Sequence, residues 1–543
     1  MAIQNKDGSG TLIIDNFHGS MTPYVDGDIN SGLTNVVEVF GYDPFVKPGN
    51  LTWMETAARI DSGESVITDL ILAGKTRVES GILYVYAIGH TGRLYKIQVN
   101  DPTTYNPNYD NPVLLATLTA QTPTFTRGGF IDFYGATERI VIGHDKGLTR
   151  IDFDGTNETF VGVLGSWTQT VPRPLKQFLG NLYVGNGTNI AEVNSSFVVS
   201  TYTKLSPAFP TGMQVRDLDL TPDGNVLETV VTELGLSDIT SITTDTSILS
   251  PANSFIFKWN GTDTGYTSST FYPSATLSAN SLFGENQYVF GYDIRGGGIY
   301  NPIKKFLTSS PSSAFGESPS PNAVFSASSM MYWANPLWFE GFQEMLLTVF
   351  GTPSEYEIKP GYWSPYNQTA TGTETDVRRI PCAILVSNFA QGASDNSYTD
   401  NIFGEPKIYF STLETSNTPT TKYKLYKLSL APSGLGTALT GAVYQTQTQL
   451  FSKKVLPGEV RVYGEPWVTS NSFTVELIGS NGAVLSGSSK TFTAGSNLTV
   501  GNDYAWYTST TAPTYAIGLR ITNAGSVNHT INKVEIDYTQ AGK

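Results

Sequence analysis

The stretch Ile140-Val141-Ile142-Gly143-His144-Asp145-Lys146-Gly147-Leu148-Thr149-Arg150-Ile151-Asp152-Phe153 reads as a single β-hairpin. A β-branched apolar run closes on a glycine, a polar turn carries a second glycine, and a strand-forming run follows. The same template recurs. Tyr84-Val85-Tyr86-Ala87-Ile88-Gly89 leads through Gly92 into Leu94–Val99, and Leu182-Tyr183-Val184-Gly185 leads through Gly187 into Ile190–Val193. Looser copies begin near Val226, Tyr288, Met345 and Ile408, so the starts are spaced by 56, 42, 44, 62, 57 and 63 residues. Propeller repeats run about 40–50 residues with four strands per blade, and the longer intervals hold insertions such as Gly261–Thr270 and Ser309–Ser320. One four-stranded blade cannot cover its own two faces, whereas stacking blades about an axis covers them and leaves short edges. Seven hairpins predict a β-propeller of about seven blades; the competing reading is a run of unrelated hairpins in one or two sandwiches. Helical periodicity never persists past two turns.

After Val443 the template stops and plain alternation takes over. Phe473, Val475 and Leu477 share one face of a strand, as do Ile517, Leu519 and Ile521, and Val534, Ile536 and Tyr538. Such short alternating strands between Gly/Ser/Asn turns suit a β-sandwich or jelly roll. The expected organisation is all-β: an N-terminal strand and arm over 1–50, a propeller over 51–435, and a sandwich over 443–543, with Ala431-Pro432-Ser433-Gly434-Leu435-Gly436 as linker.

Composition narrows the function. The 543 residues carry 33 Lys and Arg against 47 Asp and Glu, a formal charge of −14, and only 15% are charged. An acidic chain without clustered cations does not suit a protein that grips duplex phosphates. A single cysteine, Cys382, permits no intrachain disulfide and no thiolate zinc site. The longest apolar run near the N-terminus is Leu12-Ile13-Ile14, too short for a secretory signal, and no window is long enough to span a membrane. Synthesis and assembly in a cytoplasm are expected.

Catalytic chemistry finds little support. The four histidines, His18, His90, His144 and His529, show no metal-ligand spacing, and no Gly-x-Ser-x-Gly elbow or phosphate loop occurs. His90 and His144 each follow a glycine at equivalent hairpin positions and read as polar turn residues. Asp26-Gly27-Asp28-Ile29-Asn30-Ser31-Gly32 resembles the start of a calcium loop, but its glycine is one place late and Val37 stands where the final carboxylate belongs. Asp217-Leu218-Asp219 reads as strand framework. Asp263-Thr264-Gly265 matches a sialidase Asp box poorly, since Gly261 and Ser268 occupy its outer positions. No catalytic residue, cofactor or metal is expected.

Aromatic groups are the remaining candidates. Met330-Met331-Tyr332-Trp333-Ala334-Asn335-Pro336-Leu337-Trp338-Phe339 packs four rings into ten residues. Trp333, Trp338 and Phe339 read either as blade core or as a protein–protein anchor. Trp467, Tyr504, Trp506 and Tyr507 read either as sandwich core or as a sugar-stacking platform, with Tyr504 and Trp506 on one face and Ala505 and Tyr507 on the other.

The first sixty residues carry an arrangement of their own. Thr11-Leu12-Ile13-Ile14-Asp15-Asn16-Phe17-His18-Gly19 is followed by an acidic Gly/Asn segment and then by Val36-Val37-Glu38-Val39-Phe40-Gly41-Tyr42-Asp43-Pro44-Phe45-Val46-Lys47-Pro48-Gly49. This resembles the opening of the tail nozzle proteins (tail tubular protein B and its relatives) of short-tailed bacteriophages. The resemblance implies a non-catalytic virion protein, six copies of which form a ring at the distal tail. It also implies contacts with a tail adaptor and with other tail proteins. DNA would pass through the ring, and a lumen lined by carboxylates and neutral polar groups would let it slide. Two other functions stay open: a host-receptor or carbohydrate-binding tail protein, and a propeller enzyme that cleaves glycans.

Overall fold

The computed structural model describes residues 2–4, 9–17, 33, 36–40, 49–53, 58–60, 66–80, 82–99, 110–125, 128–220, 224–233, 254–272, 278–283, 288–292, 324–327, 330–335, 345–350, 359–363, 377–386, 407–414, 423–429, 438, 440–465, 472–493, 504–526 and 529–541. These residues hold no α-helix, and their strands gather into eight sheets. Seven sheets are blades, each an antiparallel meander. Blade 1 comprises Ile71–Glu79, Ile82–Gly89, Arg93–Gln98 and Asn111–Thr117. Blade 2 comprises Phe130–Tyr134, Arg139–His144, Gly147–Ile151 and Thr159–Val161. Blade 3 comprises Leu175–Phe178, Asn181–Asn186, Asn189–Val193 and Val199–Thr201. Blade 4 comprises Met213–Leu220, Leu227–Glu233, Ser254–Trp259 and Ser268–Tyr272. Two strands of blade 5, Ser278–Phe283 and Tyr288–Tyr292, are described. Blade 6 comprises Val324–Ala327, Met330–Asn335, Met345–Phe350 and Lys359–Trp363. Blade 7 comprises Val377–Val386, Lys407–Glu414 and Tyr423–Ser429.

The first strands of successive blades touch one another from blade 1 to blade 7 and back to blade 1. That continuous contact closes a ring and puts the first strands at the axis, which makes the fold a seven-bladed propeller. Apolar clusters fill the seams. Tyr86, Ile88 and Leu94 of blade 1 pack with Phe133, Ile140 and Ile142 of blade 2, and Val141 and Leu148 of blade 2 pack with Leu182, Val184 and Ala191 of blade 3. Full burial of each such side chain contributes about 1.5–3 kcal/mol, so the blades cohere through these seams.

The hairpin glycines divide into two classes. Gly92, Gly147 and Gly187 sit in the turns at φ of +84°, +150° and +66°, where L side chains are strained. Gly143 and Gly185 end the second strands for a different reason. The chain entering the first strand of blade 3, Arg173 and Pro174, runs over both. A Cβ on Gly143 would strike the Arg173 carbonyl, and one on Gly185 would lie 2.8 Å from Pro174 Cδ.

The seam between blades 7 and 1 joins residues far apart in sequence. Ala58–Arg59 pairs with Lys427 and Tyr426, supplying the fourth strand of blade 7 from chain that precedes blade 1. Ile60 N–H continues this by donating to Leu425 O at 2.9 Å. Buried Ser411 Oγ accepts from Ile71 N–H at 3.0 Å, and the Asp110 carboxylate is held by Tyr409 Oη and Lys427 Nζ. Tyr409 joins Ile60, Ile71, Val85, Tyr95 and Leu425 in one buried cluster.

The eighth sheet unites the two ends of the chain. Gly10–Ile14 lies between Ala2–Gln4 and Thr530–Gln540, and Val36–Phe40 pairs with Val443–Thr446. Leu51–Thr52 pairs with Ile531 and Thr530. Gln449–Gly464 pairs with Thr530–Gln540, Thr514–Asn523 and Tyr504–Tyr507. Ser472–Ile478 bridges Thr514–Asn523 and Val484–Thr493. The alternating residues named from the sequence, Phe473 to Leu477, Ile517 to Ile521 and Val534 to Tyr538, are its buried face. Residues 1–50, expected as an arm leading into the propeller, supply three of its eleven strands. Their register explains why: Leu12 and Ile14 are buried opposite Ile536 and Val534. Eleven strands in one hydrogen-bonded network do not by themselves make the sandwich or jelly roll expected over 443–543. Trp53 Nε1 also donates to His529 Nε2 at 2.9 Å, tying the approach to the propeller to the last strand.

Two substitutions test this construction. Ser411→Ala leaves the Ile71 amide without that acceptor and is expected to cost about 1–3 kcal/mol, read as a lower guanidinium midpoint; an unchanged midpoint refutes the seam's dependence on it. Gly143→Ala is expected to cost about 1–3 kcal/mol by overpacking, while Gly165→Ala, where no heavy atom lies within 4 Å of an added Cβ, stays within about 1 kcal/mol.

Candidate functional site

The axial strands bring their polar side chains together across the seams. Lys75 of blade 1 pairs with Asp132 of blade 2. Gln177 of blade 3 reaches back to the Asp132 carboxylate and donates to Phe133 O at 2.7 Å. Lys176 of blade 3 meets Asp219 of blade 4 at 2.5 Å. Arg77 holds Glu79 at 2.7 Å and Glu138 of blade 2 at 2.8 Å, and its guanidinium lies 3.7 Å from the Phe153 ring centroid. Burial pushes the Glu79 carboxyl up, but hydrogen bonds from Lys96, Tyr86 and Arg77 outweigh it and hold the group below its ordinary value. Partly exposed pairs of this kind contribute about 0–1 kcal/mol each, so they fix the seams more than they stabilise them. Each of these cations already faces a carboxylate, which leaves little positive charge for a phosphate backbone.

Most of the groups weighed for catalysis make contacts within the framework. His144 is buried; its Nε2 lies 3.1 Å from Thr149 Oγ1 and its ring packs beside Phe125 and Phe160. Burial, helped by Arg173 and Lys146, pulls its pKa from the usual 6.5 to about 3. Arg173 is buried too, donating to Gly185 O and Asn186 Oδ1 at 3.1 and 3.2 Å; burial lowers it to about 9 against the opposing pull of Asp145. In blade 1, His90 Nδ1 accepts from Leu70 N–H and sits against Asp69, whose carboxylate accepts from Thr91 N–H and Oγ1–H. Asp219 pairs with Lys176, and Asp217 Oδ1 accepts the Leu218 amide. Asp263 closes a turn, its carbonyl accepting Trp259 Nε1–H at 2.8 Å. Cys382 lies in the first strand of blade 7, and the Asp26–Gly32 segment lies outside the described residues. Among the described residues no three His, Cys, Asp or Glu side chains come together as a metal site, and no helix is long and apolar enough to cross a membrane.

The aromatic candidates separate. Trp333 stands in the second strand of blade 6, in register with Val324 and Leu347. Trp338, Phe339 and Trp467 lie outside the described residues. Trp506 is half-buried and meets the Phe492 ring edge-on at 5.1 Å, while Ala505 and Tyr507 face outward.

Around Tyr507 the structure assembles residues that sequence reasoning passed over. On strand Gln449–Gly464, Val455, Val460 and Val462 face the core. Glu459 and Arg461 take the other face, opposite Tyr507 and Ala505 in the register. Arg461 pairs with Asp537 at 2.5 Å and Glu535 at 3.4 Å, and Thr11 Oγ1 donates to Asp537 at 2.6 Å. Glu535 also accepts from Tyr463 Oη at 2.9 Å and pairs with Lys533 at 3.0 Å. Burial pulls the Arg461 guanidinium down, but Asp537, Glu535 and Glu459 together raise it above its ordinary value. Farther along the strand Lys454 Nζ lies 5.5 Å from the Tyr515 ring centroid. The alternation Glu459-Val460-Arg461-Val462-Tyr463 was the available signal.

No protein-family model matches the chain, and no curated protein matches it. Solved structures similar to it include the Dos1 propeller (8% identity, 64% of this chain and 74% of that one, TM-score 0.34). The C-terminal WD40 domain of Sif2 is another (11% identity, 69% and 99%, TM-score 0.37). A third is the extracellular domain of the putative one-component system BT4673 from B. thetaiotaomicron (10% identity, 95% and 67%, TM-score 0.41). At TM-scores of this size the propeller assignment rests on the chain's own strand pairing.

His144 provides a test of the buried framework. With a folded pKa of about 3 against the usual 6.5, its neutral form is the one the fold holds. Its contribution is therefore complete above about pH 6.5 and is lost as pH falls toward 3. Its imidazole NMR signals should not titrate between pH 8 and 5; a midpoint near 6.5 would contradict its packing.

Proposed function

We propose that this chain is a non-catalytic structural protein of a bacteriophage virion, a tail nozzle-like component of a ring around the path of DNA. One observation carries the reading. The two fragments on which the family resemblance rests, Asn16-Phe17 and the turn ending at Gly49, meet directly, with Phe17 N–H donating to Gly49 O at 3.1 Å. Phe17 is buried and meets the Tyr444 ring edge-on at 5.3 Å, so the motif is locked onto the C-terminal strands. Residues with this placement form one structural unit, although thirty-two positions separate Phe17 from Gly49 (49 − 17 = 32).

The charge distribution supports passage of DNA in preference to its capture. The net charge is −14, and the axial cations Lys75, Arg77 and Lys176 each face a carboxylate. A ring of such subunits, positioned against an adaptor and other tail proteins, works by geometry.

In particles of the phage that encodes it, the chain is expected as a ring of six copies at the distal tail, located by electron microscopy and counted by quantitative mass spectrometry. Its absence from purified particles would refute the assignment. The isolated protein should not shift duplex DNA in a gel at about 0.15 M salt; retention there would remove the non-adhesive role.

A further inference from the structure

The dipeptide Asn-Gly stands in two contrasting settings, Asn186-Gly187 and Asn260-Gly261. In such a pair the asparagine side chain is open to attack by its own backbone, because glycine puts no side chain beside the next amide nitrogen. Asn186 ends the second strand of blade 3, where pairing with Asn189 keeps its backbone extended. It is buried; its Oδ1 accepts from Thr168 N–H and Arg173 Nη1 at 2.9 and 3.2 Å, and its Nδ2 donates to Tyr202 O at 3.0 Å.

Asn260 follows the third strand of blade 4 and opens the turn that contains Asp263-Thr264-Gly265. It is half-buried, and Thr262 and Asp263 beside it are exposed. Its side chain folds back over its own turn. Oδ1 accepts from the Thr262 and Asp263 amides, both at 3.0 Å, and from Thr262 Oγ1 at 3.2 Å. Nδ2 donates to Asp263 Oδ2 at 2.9 Å. The turn is fixed from outside as well: Trp259 Nε1 donates to Asp263 O, and Ser206 N–H donates to Thr264 O at 2.7 Å.

We propose that Asn260-Gly261 is a self-modifying site, where the folded turn converts asparagine into aspartate and isoaspartate. The Gly261 nitrogen bonds to Asn260 Cγ, the Cγ–Nδ2 bond breaks, and ammonia leaves. The proton of the Gly261 amide passes to water, and the departing nitrogen takes one from water. Water then opens the five-membered imide at either carbonyl, giving aspartate or, where the chain continues through Cγ, isoaspartate. Three donors on Oδ1 draw electron density from Cγ and stand ready for the negative charge that builds on that oxygen. At Asn186 imide closure would pull the carboxamide off Thr168, Arg173 and Tyr202 and disturb a paired strand. At Asn260 every partner of the carboxamide belongs to the same turn. Isoaspartate adds a carbon to the backbone, and the turn has little slack for it. A Cβ on Gly261 would lie 2.3 Å from Leu179 Cδ1 and 2.8 Å from Phe178 Cε1, so a displaced Gly261 presses on the seam between blades 3 and 4. The site is independent of the ring assembly proposed above.

The test holds the full chain folded at mildly alkaline pH over weeks and reads it by peptide mapping with isoaspartyl methyltransferase labelling. Asn260 is expected to convert at least about tenfold faster than Asn186. In guanidinium the two should convert at similar rates, which assigns the difference to the fold. Asn260→Gln, whose longer side chain would have to close a six-membered ring, should lose the labelling there and keep the thermal midpoint of fresh protein. Aged wild type should melt lower than fresh protein, whereas aged Asn260→Gln should not. Three outcomes would overturn the proposal: Asn260 unmodified in the folded chain, conversion there no faster than at Asn186, or the same preference persisting in guanidinium. An unchanged midpoint after conversion would refute the strain at the seam.

Discussion

Closure of the ring rests on the seam between blades 7 and 1, where Ala58 and Arg59 complete the outer edge of blade 7. Without them blade 7 has three strands, and its last strand, Tyr423–Ser429, presents unpaired backbone groups. Hydrogen-bonded closure is what lets a circular stack avoid exposed edges. The same short strand delivers Ile60 into the apolar cluster of the blade 7–blade 1 seam, where Ser411, Tyr409 and Asp110 secure the polar contacts. The remaining seams are made by neighbours in sequence and are local by comparison. Closure is the one seam that depends on chain order across the whole fold.

The seams share a division of labour. Apolar side chains such as Ile88, Ile140 and Leu182 supply cohesion, while ion pairs and buried turns set register. Glycine does two unrelated jobs in the same hairpin: the turn glycine accepts a left-handed backbone, and the strand-end glycine leaves space for the incoming chain. His144 and Arg173 belong to that second economy, since both sit where one blade's turn meets the next blade's entry segment. Their lowered pKa values reflect burial, and their partners are framework atoms such as Thr149 Oγ1 and Gly185 O.

Much of the propeller was legible because its hairpins are local. A β-branched run, a glycine turn and a second run name themselves within about fifteen residues, and the starts at Tyr84, Ile140, Leu182, Val226, Tyr288 and Ile408 fall at or within a residue or two of second strands. Met345 is the exception: it opens the third strand of blade 6, because Met330–Asn335 precedes it as the second. The closing strand was not legible, since two residues carry no periodicity. Nor were the pairings of Gly10–Ile14 and Val36–Phe40, whose partners lie hundreds of residues away and leave no local signal. The outer face around Tyr507 was half visible. The aromatic itself stood out, but Glu459 comes to stand opposite it only through strand register, as Arg461 does opposite Ala505.

Both ends of the chain meet in one sheet, and this sets a schedule for biosynthesis. Gly10–Ile14 leaves the ribosome more than five hundred residues ahead of its partner Thr530–Gln540. At about 5–20 residues per second that interval is roughly half a minute to two minutes. Until then Gly10–Ile14 has only Ala2–Gln4 to pair with, and Ala58–Arg59 waits for Tyr426 and Lys427. A truncated chain therefore cannot complete this sheet, whatever blades it has already formed. Any assembly surface built on that sheet would exist only once Thr530–Gln540 has been made.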